Sequence, residues 1–478
     1  MNGNQPRTLK ERGISLIFTA MTLVFIVPMV GLAIDAGILY TVKGKLQMAV
    51  DAASLAAARA LSRGNDDASQ QNNATAEAEA YVLLNFPSGY FNVGTPTFGV
   101  NNSGVSIDES VANQRSVSVT AYVTAPLYFL RWLGTNNTTV SATATAVRRD
   151  VNVAVVIDRS GSLQTTGSCN SVKNAAIAFV NKFANGRDNV GLVTFASTSI
   201  ADFPIANNFQ TAATSVPTIL GELVCNGGTS SAMGLNIGYQ QLAVTLNQPN
   251  ALNVVLFFTD GQPTAFTGSF PIKNSSTCTF KAINTPYNPK TGVLTVGGTN
   301  PWGLMNTTNP GQPLASDLPL LNQPTAYANT SQGCAYAANW TGSPSSAYQV
   351  GSDITNIPTT DLYGNNMVTG YQAVTTTGGF MDLTATNIVN ASINAADSQA
   401  LKIRRSTTIP NIRIFSIGLG NDPNNHVQTD FLARVANDPR ASNFDSSYPA
   451  GTYIFAPQAS DISDAFAQVA SAILHLAR

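Results

Sequence analysis

Residues 151–163 read Val151-Asn152-Val153-Ala154-Val155-Val156-Ile157-Asp158-Arg159-Ser160-Gly161-Ser162-Leu163. The first half is apolar and rich in β-branched side chains. Such a run suits a strand buried on both faces of a parallel sheet, so the surrounding chain must supply helices to cover it. It ends abruptly in Asp158, Ser160 and Ser162. Three short oxygen-bearing side chains at alternate positions, on a loop leaving a strand, can converge on one point. A carboxylate and two hydroxyls are hard donors, suited to a hard divalent cation such as Mg²⁺.

Two later stretches fit the same site. Gly227-Gly228-Thr229-Ser230-Ser231 is a glycine-rich turn leading into a helical pattern. Residues 252–260 are a second buried strand, with Val254, Val255, Leu256, Phe257 and Phe258, ending in Thr259-Asp260-Gly261. In an open parallel sheet the loops at the carboxyl ends of the strands form the ligand crevice. Asp158, Ser160, Ser162, Thr229 and Asp260 are therefore candidates to meet there.

This combination resembles the von Willebrand factor type A domain and its metal-ion-dependent adhesion site. The family's Asp-x-Ser-x-Ser element stands here as Asp158-Arg159-Ser160-Gly161-Ser162, its distant Thr as Thr229 and its distant Asp as Asp260. The resemblance implies Mg²⁺, or Mn²⁺ or Ca²⁺ in its place, held directly by Ser160, Ser162 and Thr229. The two Asp residues would act largely through water, and one coordination position would stay open for a partner's carboxylate.

At 478 residues the chain exceeds one usual domain. Its net charge of −1 leaves no basic footprint for nucleic acid. Only 11% of residues are charged, against roughly 25% in average soluble domains. Ala, Thr, Ser, Asn and Gly make up the difference, as suits a cell-envelope or secreted protein. None of the four cysteines forms a close Cys-x-x-Cys pair, which argues against a zinc ribbon. Cys169 follows the Asp158 loop and Cys225 precedes the Gly-Gly-Thr turn, so these two are candidate disulfide partners if both loops line one crevice. Cys278 and Cys334 are the second candidate pair. Four reduced thiols are the alternative.

Residues 1–12 are short and basic, with Arg7, Lys10 and Arg12 against Glu11. Residues 14–34 then run without a charge, enough to span a bilayer. The basic flank predicts a cytoplasmic tail (1–12), a transmembrane helix (13–34) and an external body. A cleaved signal peptide competes, with Gly31-Leu32-Ala33 as the cleavage site, but the apolar run is longer than a signal core. The helical pattern continues over 35–64. Its small residues predict a partner or self-association surface over 35–62, with an ordinary amphipathic helix on its own domain as the alternative.

Arg12-Gly13, the apolar span, Gly31-Leu32-Ala33-Ile34-Asp35, Leu39-Tyr40, Leu46-Gln47 and Asp51-Ala52-Ala53 closely resemble the N-terminal region of TadG-like proteins. These belong to the tight-adherence (Flp) pilus assembly systems of bacteria. The resemblance covers about the first 65 residues and implies an inner-membrane anchor with a periplasmic body. Prepilin-like members carry a Glu five residues after a Gly, whereas Gly13 is followed at that distance by Phe18. This argues against a pilin subunit.

Residues 65–150 predict a small α+β linking module. A helix spans 68–86, strands span 116–124 and 138–147, and a turn of helix at 127–133 packs Phe129, Trp132 and Leu133. From 151 to 478 the pattern alternates strand and helix. Helices are expected at 171–183, 230–246, 387–405, 429–435 and 462–476. Further strands are expected at 190–195, 198–205, 412–419 and 453–455. The fold class expected is α/β: a transmembrane helix with a juxtamembrane helix, the linking module, then a doubly wound, Rossmann-like von Willebrand factor type A domain. Residues 262–380 interrupt it with a long aperiodic insertion carrying Trp302 and Trp340. It is either a cap over the metal site or a flexible loop.

Only two histidines occur, His426 and His475. No Ser-His-Asp arrangement, zinc motif or phosphate-cradling loop is visible, so no enzyme is expected. The function expected is metal-bridged capture of a protein partner's carboxylate in pilus assembly. The competing readings are a scaffold with a non-binding metal site, and an exported surface adhesin.

Overall fold

The computed structural model describes residues 9–99, 104–245, 248–270, 290–297, 300–306, 328–329, 334–335, 358–382, 384–409, 411–420 and 428–477. The chain divides into two compact units. One comprises Met1–Arg63 with Ala68–Arg148, and the other Gly64–Asp67 with Arg149–Arg478.

In the first unit, helix α1 (Leu9–Ala60) runs unbroken through the apolar span and the stretch after it, with Pro28 inside it. Side chains 16–34 are exposed except at Gly31. Beyond Asp35 the pattern changes. Val42, Leu46, Ala49, Ala53, Ala57 and Ala60 are buried at spacings of three and four, the stripe by which a helix lies on a core. That core contains Ala74, Ala78 and Val82 of helix α2 (Asp67–Asn85). Strands β1 (Val105–Asp108), β2 (Gln114–Pro126) and β3 (Asn137–Arg149) complete it as one sheet in that order. The small residues over 35–62, expected as a self-association surface, therefore serve close packing within their own unit. Residues Tyr40, Met48 and Leu55 remain exposed on the same helix.

β2 alternates strictly, with Val117, Val119, Ala121 and Val123 buried. Its other face is polar. The hydroxyls of Ser118 and Thr145 lie 2.7 Å apart, and those of Thr120 and Thr143 2.9 Å apart. This is the structural meaning of the Thr/Ser alternation. Arg115 is wholly buried; its guanidinium donates to Gln70 Oε1 at 2.8 Å and to the Leu61 carbonyl at 3.1 Å.

The turn at 127–133 corrects the sequence expectation. It is a 3₁₀ turn over Leu130–Leu133, but Phe129 and Trp132 do not pack into the module. Trp132 is 83% exposed and Phe129 41%. The physical reason is Asp35. Its buried carboxylate accepts the backbone N–H groups of Tyr128 (2.9 Å), Phe129 (3.0 Å) and Leu130 (2.8 Å). Three backbone N–H groups thus tie this turn to α1 through the Asp35 carboxylate.

The second unit is built on a six-stranded sheet. Its strands are β4 (Val151–Asp158), β5 (Asn189–Phe195), β6 (Ser199–Ala206), β7 (Leu252–Thr259), β15 (Arg413–Leu419) and β16 (Tyr453–Ala456), in the order β16-β15-β7-β4-β5-β6. All neighbours run parallel except β6, an antiparallel edge strand. β4 is buried throughout. Its Ala154 and Val156 join one core with helices α6 (Ser231–Ala243), α7 (Ala385–Arg404) and α8 (Thr429–Ala436). Its Val153, Val155 and Ile157 join another with α4 (Cys169–Val180), α5 (Val216–Glu222) and α9 (Ile462–Leu476). Period-two alternation along a strand buried on both faces thus divides two cores, which is the doubly wound arrangement. Helix α5 and the five-residue helix α3 (Gly161–Thr165) were not anticipated.

The insertion leaves at the sheet's carboxyl end. Strand β8 (Ala265–Phe270) pairs antiparallel with β9 (Lys290–Gly297), which pairs with β10 (Asn300–Asn306). Two-residue ladders join β11 (Ala328–Asn329) to β12 (Cys334–Ala335) and β13 (Thr376–Thr377) to β14 (Phe380–Met381). Residues 358–382 return to the core. Asn394 of α7 donates to the carbonyls of Met367 (3.0 Å) and Gln372 (2.8 Å), and accepts from Gln372 N (2.7 Å). Met367 and Met381 are buried in the same core. Most of the expected cap lies outside the described residues, as do Cys278, Trp340, His426 and the side chains of Cys334 and Trp302. His475 is described, and exposed.

Candidate metal centre

β4 and β7 are neighbours in register, with Ile157 opposite Phe258. Their ends therefore deliver Asp158 and Asp260 to the same edge of the sheet. Both are buried, at 1% and 2% exposure. The chain leaving β4 doubles back, and Asp158 Oδ1 accepts Ser160 N at 2.7 Å. That turn brings the hydroxyls of Ser160 and Ser162 within 2.9 Å of each other. Both donate to Asp260 Oδ1, at 3.3 Å and 2.7 Å. Four of the five residues expected at the site thus form one hydrogen-bonded cluster.

Thr229 belongs to the loop across the crevice. That loop is tied to the Asp158 loop by Gly161 N to the Gly227 carbonyl (2.9 Å) and Asn226 N to the Arg159 carbonyl (2.7 Å). Gly227 has φ +97°, a left-handed conformation that favours glycine. Thr229 is 3% exposed. The first residues of the insertion hold it: Thr229 N donates to Thr264 Oγ1 at 2.9 Å, and its carbonyl accepts Thr264 N (2.9 Å) and Ala265 N (3.2 Å). Cys169 and Cys225 form a disulfide with Cα atoms 6.1 Å apart. It joins the start of α4 to the approach of the Gly-Gly-Thr turn.

Several supporting residues were not singled out from the sequence. Thr259 Oγ1 donates to Asp158 Oδ2 at 2.5 Å. Ser197 Oγ accepts Gly228 N at 2.8 Å. Arg159 is buried, and its Nε donates to Thr194 Oγ1 at 3.3 Å. Near it burial pushes the Asp202 carboxyl up to about 7, against the pull of Thr194 and of the Arg159 charge. Ser and Thr at strand ends look like ordinary turn residues, so only the spatial pairing identifies them.

The electrostatics favour a cation. Burial pushes both Asp158 and Asp260 above the ordinary carboxylate value, and the Asp158 charge raises Asp260 further. Asp260 Oδ2 is buried without a hydrogen-bond partner. A buried carboxylate oxygen with nothing to accept from is costly. Among the described residues no group of three His, Cys, Asp or Glu side chains comes together. The donor set here is instead two carboxylates with hydroxyls, all hard oxygen donors, and it fits Mg²⁺.

Residues 152–279 match the family model of the von Willebrand factor type A domain. Residues 13–60 match that of the putative Flp pilus-assembly TadE/G-like proteins. No curated protein matches the chain significantly. Similar solved structures include the vWF domain of the type V pili tip protein Mfa5 from Porphyromonas gingivalis, at 16% identity and TM-score 0.37, covering 70% of this chain and 98% of that one. The PilB minor pilin from Streptococcus sanguinis has 15% identity and TM-score 0.35, with 78% of each chain covered. The pilus adhesin SpaC from Lactobacillus rhamnosus GG has 13% identity and TM-score 0.33, covering 77% of this chain and 33% of that one. From the two family matches, this chain joins a TadE/G-like N-terminal segment to a von Willebrand factor type A domain.

Proposed function

We propose that this chain is a binding protein of tight-adherence pilus assembly that captures a protein partner through a metal ion at the Asp158 site. Residues 14–34 anchor it in the bacterial inner membrane, and the basic residues Arg7, Lys10 and Arg12 keep the short tail cytoplasmic, leaving the body in the periplasm. It acts as a binding module and not as an enzyme.

One observation carries the reading. Ser160 and Ser162 converge on one oxygen of Asp260 while its other oxygen is buried and unpartnered. Ser160, Ser162 and Thr229 would hold Mg²⁺ directly, with Asp158 and Asp260 neutralising its charge largely through water. The bound ion supplies a position for a partner's carboxylate. Thr259 and the Ser160 amide keep Asp158 oriented, and the Ser197 and Thr264 hydroxyls hold the Gly-Gly-Thr loop in place.

The test is capture from an envelope extract by the full chain in detergent, with Mg²⁺, with chelator, and with Asp158→Ala. Retention of one partner only by the unaltered protein with Mg²⁺ is the expected result. Capture of the same proteins in all three conditions overturns the metal-bridged reading and leaves a scaffold.

A further inference from the structure

Trp132 and Phe129 are large apolar side chains exposed on a turn that is rigidly held. These two sit where the apolar span of α1 ends. The Asp35 carboxylate, immediately after residues 14–34, takes the N–H groups of Tyr128, Phe129 and Leu130. Four residues earlier Gly31 meets Phe129 directly. A Cβ placed on Gly31 would lie 2.8 Å from Phe129 Cβ, Cγ and Cδ1. Gly31 is buried while its neighbours Val30, Leu32 and Ile34 are exposed. Four residues of helix rise by about 6 Å. Phe129 therefore lies alongside the last apolar turn, below the carboxylate on the side of the span. Trp132 follows one turn later, its backbone N–H donating to the Phe129 carbonyl at 3.1 Å, beside the exposed Arg131.

We propose that residues 129–132 are a lipid-facing wedge that seats Phe129 and Trp132 in the outer boundary of the bilayer. This rests on the reading that residues 14–34 cross a membrane. Tryptophan favours that boundary because its ring is apolar while its indole N–H still reaches polar headgroups. Such an anchor fixes the depth and tilt of a single span. It also accounts for the sequence: a glycine where the ring lies on the helix, and an aspartate where three unpaired N–H groups must be met.

The experiment uses the full chain in phosphatidylcholine vesicles. Three tryptophans occur, so Trp302→Phe and Trp340→Phe leave Trp132 as the reporter. The expected result is blue-shifted emission, quenched more by lipids brominated near the headgroup than by those brominated near the chain end, and protected from aqueous iodide. Asp35→Ala and, separately, Gly31→Leu should roughly halve the lipid quenching and expose Trp132 to iodide, as expected for an interfacial ring released from its seat. Gly31→Leu keeps the carboxylate and evicts only the Phe129 ring, so it guards against misfolding of the first variant. Alkaline washing followed by flotation reads the span independently. A chain that floats but whose Trp132 is quenched by iodide alone overturns the wedge and leaves the span intact. Blue-shifted emission insensitive to every brominated lipid means that protein covers the ring, and also overturns it. A chain that does not float overturns the span and the wedge together.

Discussion

Asp158 and Asp260 stand at the ends of adjacent parallel strands, and burial holds both above the ordinary carboxylate value of 3.8. A carboxylate raised in the folded state contributes stability below its unfolded value and loses it as pH rises through its folded value. The metal-free domain should therefore lose stability at this site as pH climbs above 3.8. A divalent cation offsets the two charges, so its binding must displace protons. The Mg²⁺-induced rise in melting temperature should grow with pH over that range. Calorimetric titration with Mg²⁺ should release protons, read as a heat that scales with the buffer's ionisation enthalpy. Asp260→Asn should abolish both effects, and proton release unchanged in that variant would place the metal elsewhere.

Helix α6 must approach the sheet closely to set the loop before it. A Cβ on Gly238 would lie 2.6 Å from Val156 Cγ2, and one on Gly234 2.8 Å from Phe195 Cδ1. Both neighbours are buried in a packed sheet and cannot move aside. Gly238→Ala should cost about 1–3 kcal/mol by overpacking, more than the ~1 kcal/mol that alanine gains in a helix. Gly221 of α5 has nothing within 4 Å, so Gly221→Ala should stabilise by roughly 0.5–1 kcal/mol. Denaturant midpoints of the two variants should move in opposite directions, and equal shifts would refute the close-approach account. The disulfide acts on the same elements. It closes a separation of 56 residues, and constraint of the unfolded chain predicts about 4 kcal/mol. Cys169→Ser should lower the melting temperature, and it should weaken Mg²⁺ binding because it frees the approach to Gly227.

Each of the two units has its own core. Val42, Leu46, Ala78 and Val119 belong to one cluster, whereas the second unit packs both faces of its sheet. Heating in detergent should give two transitions. Only that of the second unit should rise with Mg²⁺ and fall on reduction, since the Asp158–Asp260 cluster and the bridge both lie there. A single transition moving as a whole would show that the units unfold together.

The sequence by itself determined the sheet strands and the site at their ends. A strand buried on two faces must be largely apolar, and donors carried at its carboxyl end follow it directly. Asp158, Ser160, Ser162 and Asp260, which the fold clusters, were legible for that reason; Thr229 was legible from its glycine-rich turn, and the Cys169–Cys225 pair from the two loops it joins. Strand order, and the convergence of both serines on one oxygen of Asp260, required the tertiary structure. So did the reach of Asp35 to a turn more than ninety residues away. Such contacts have no period along the chain. A carboxylate meeting backbone N–H groups leaves no pattern in the residues that supply them, and an exposed tryptophan reads like a buried one until the chain around it is folded.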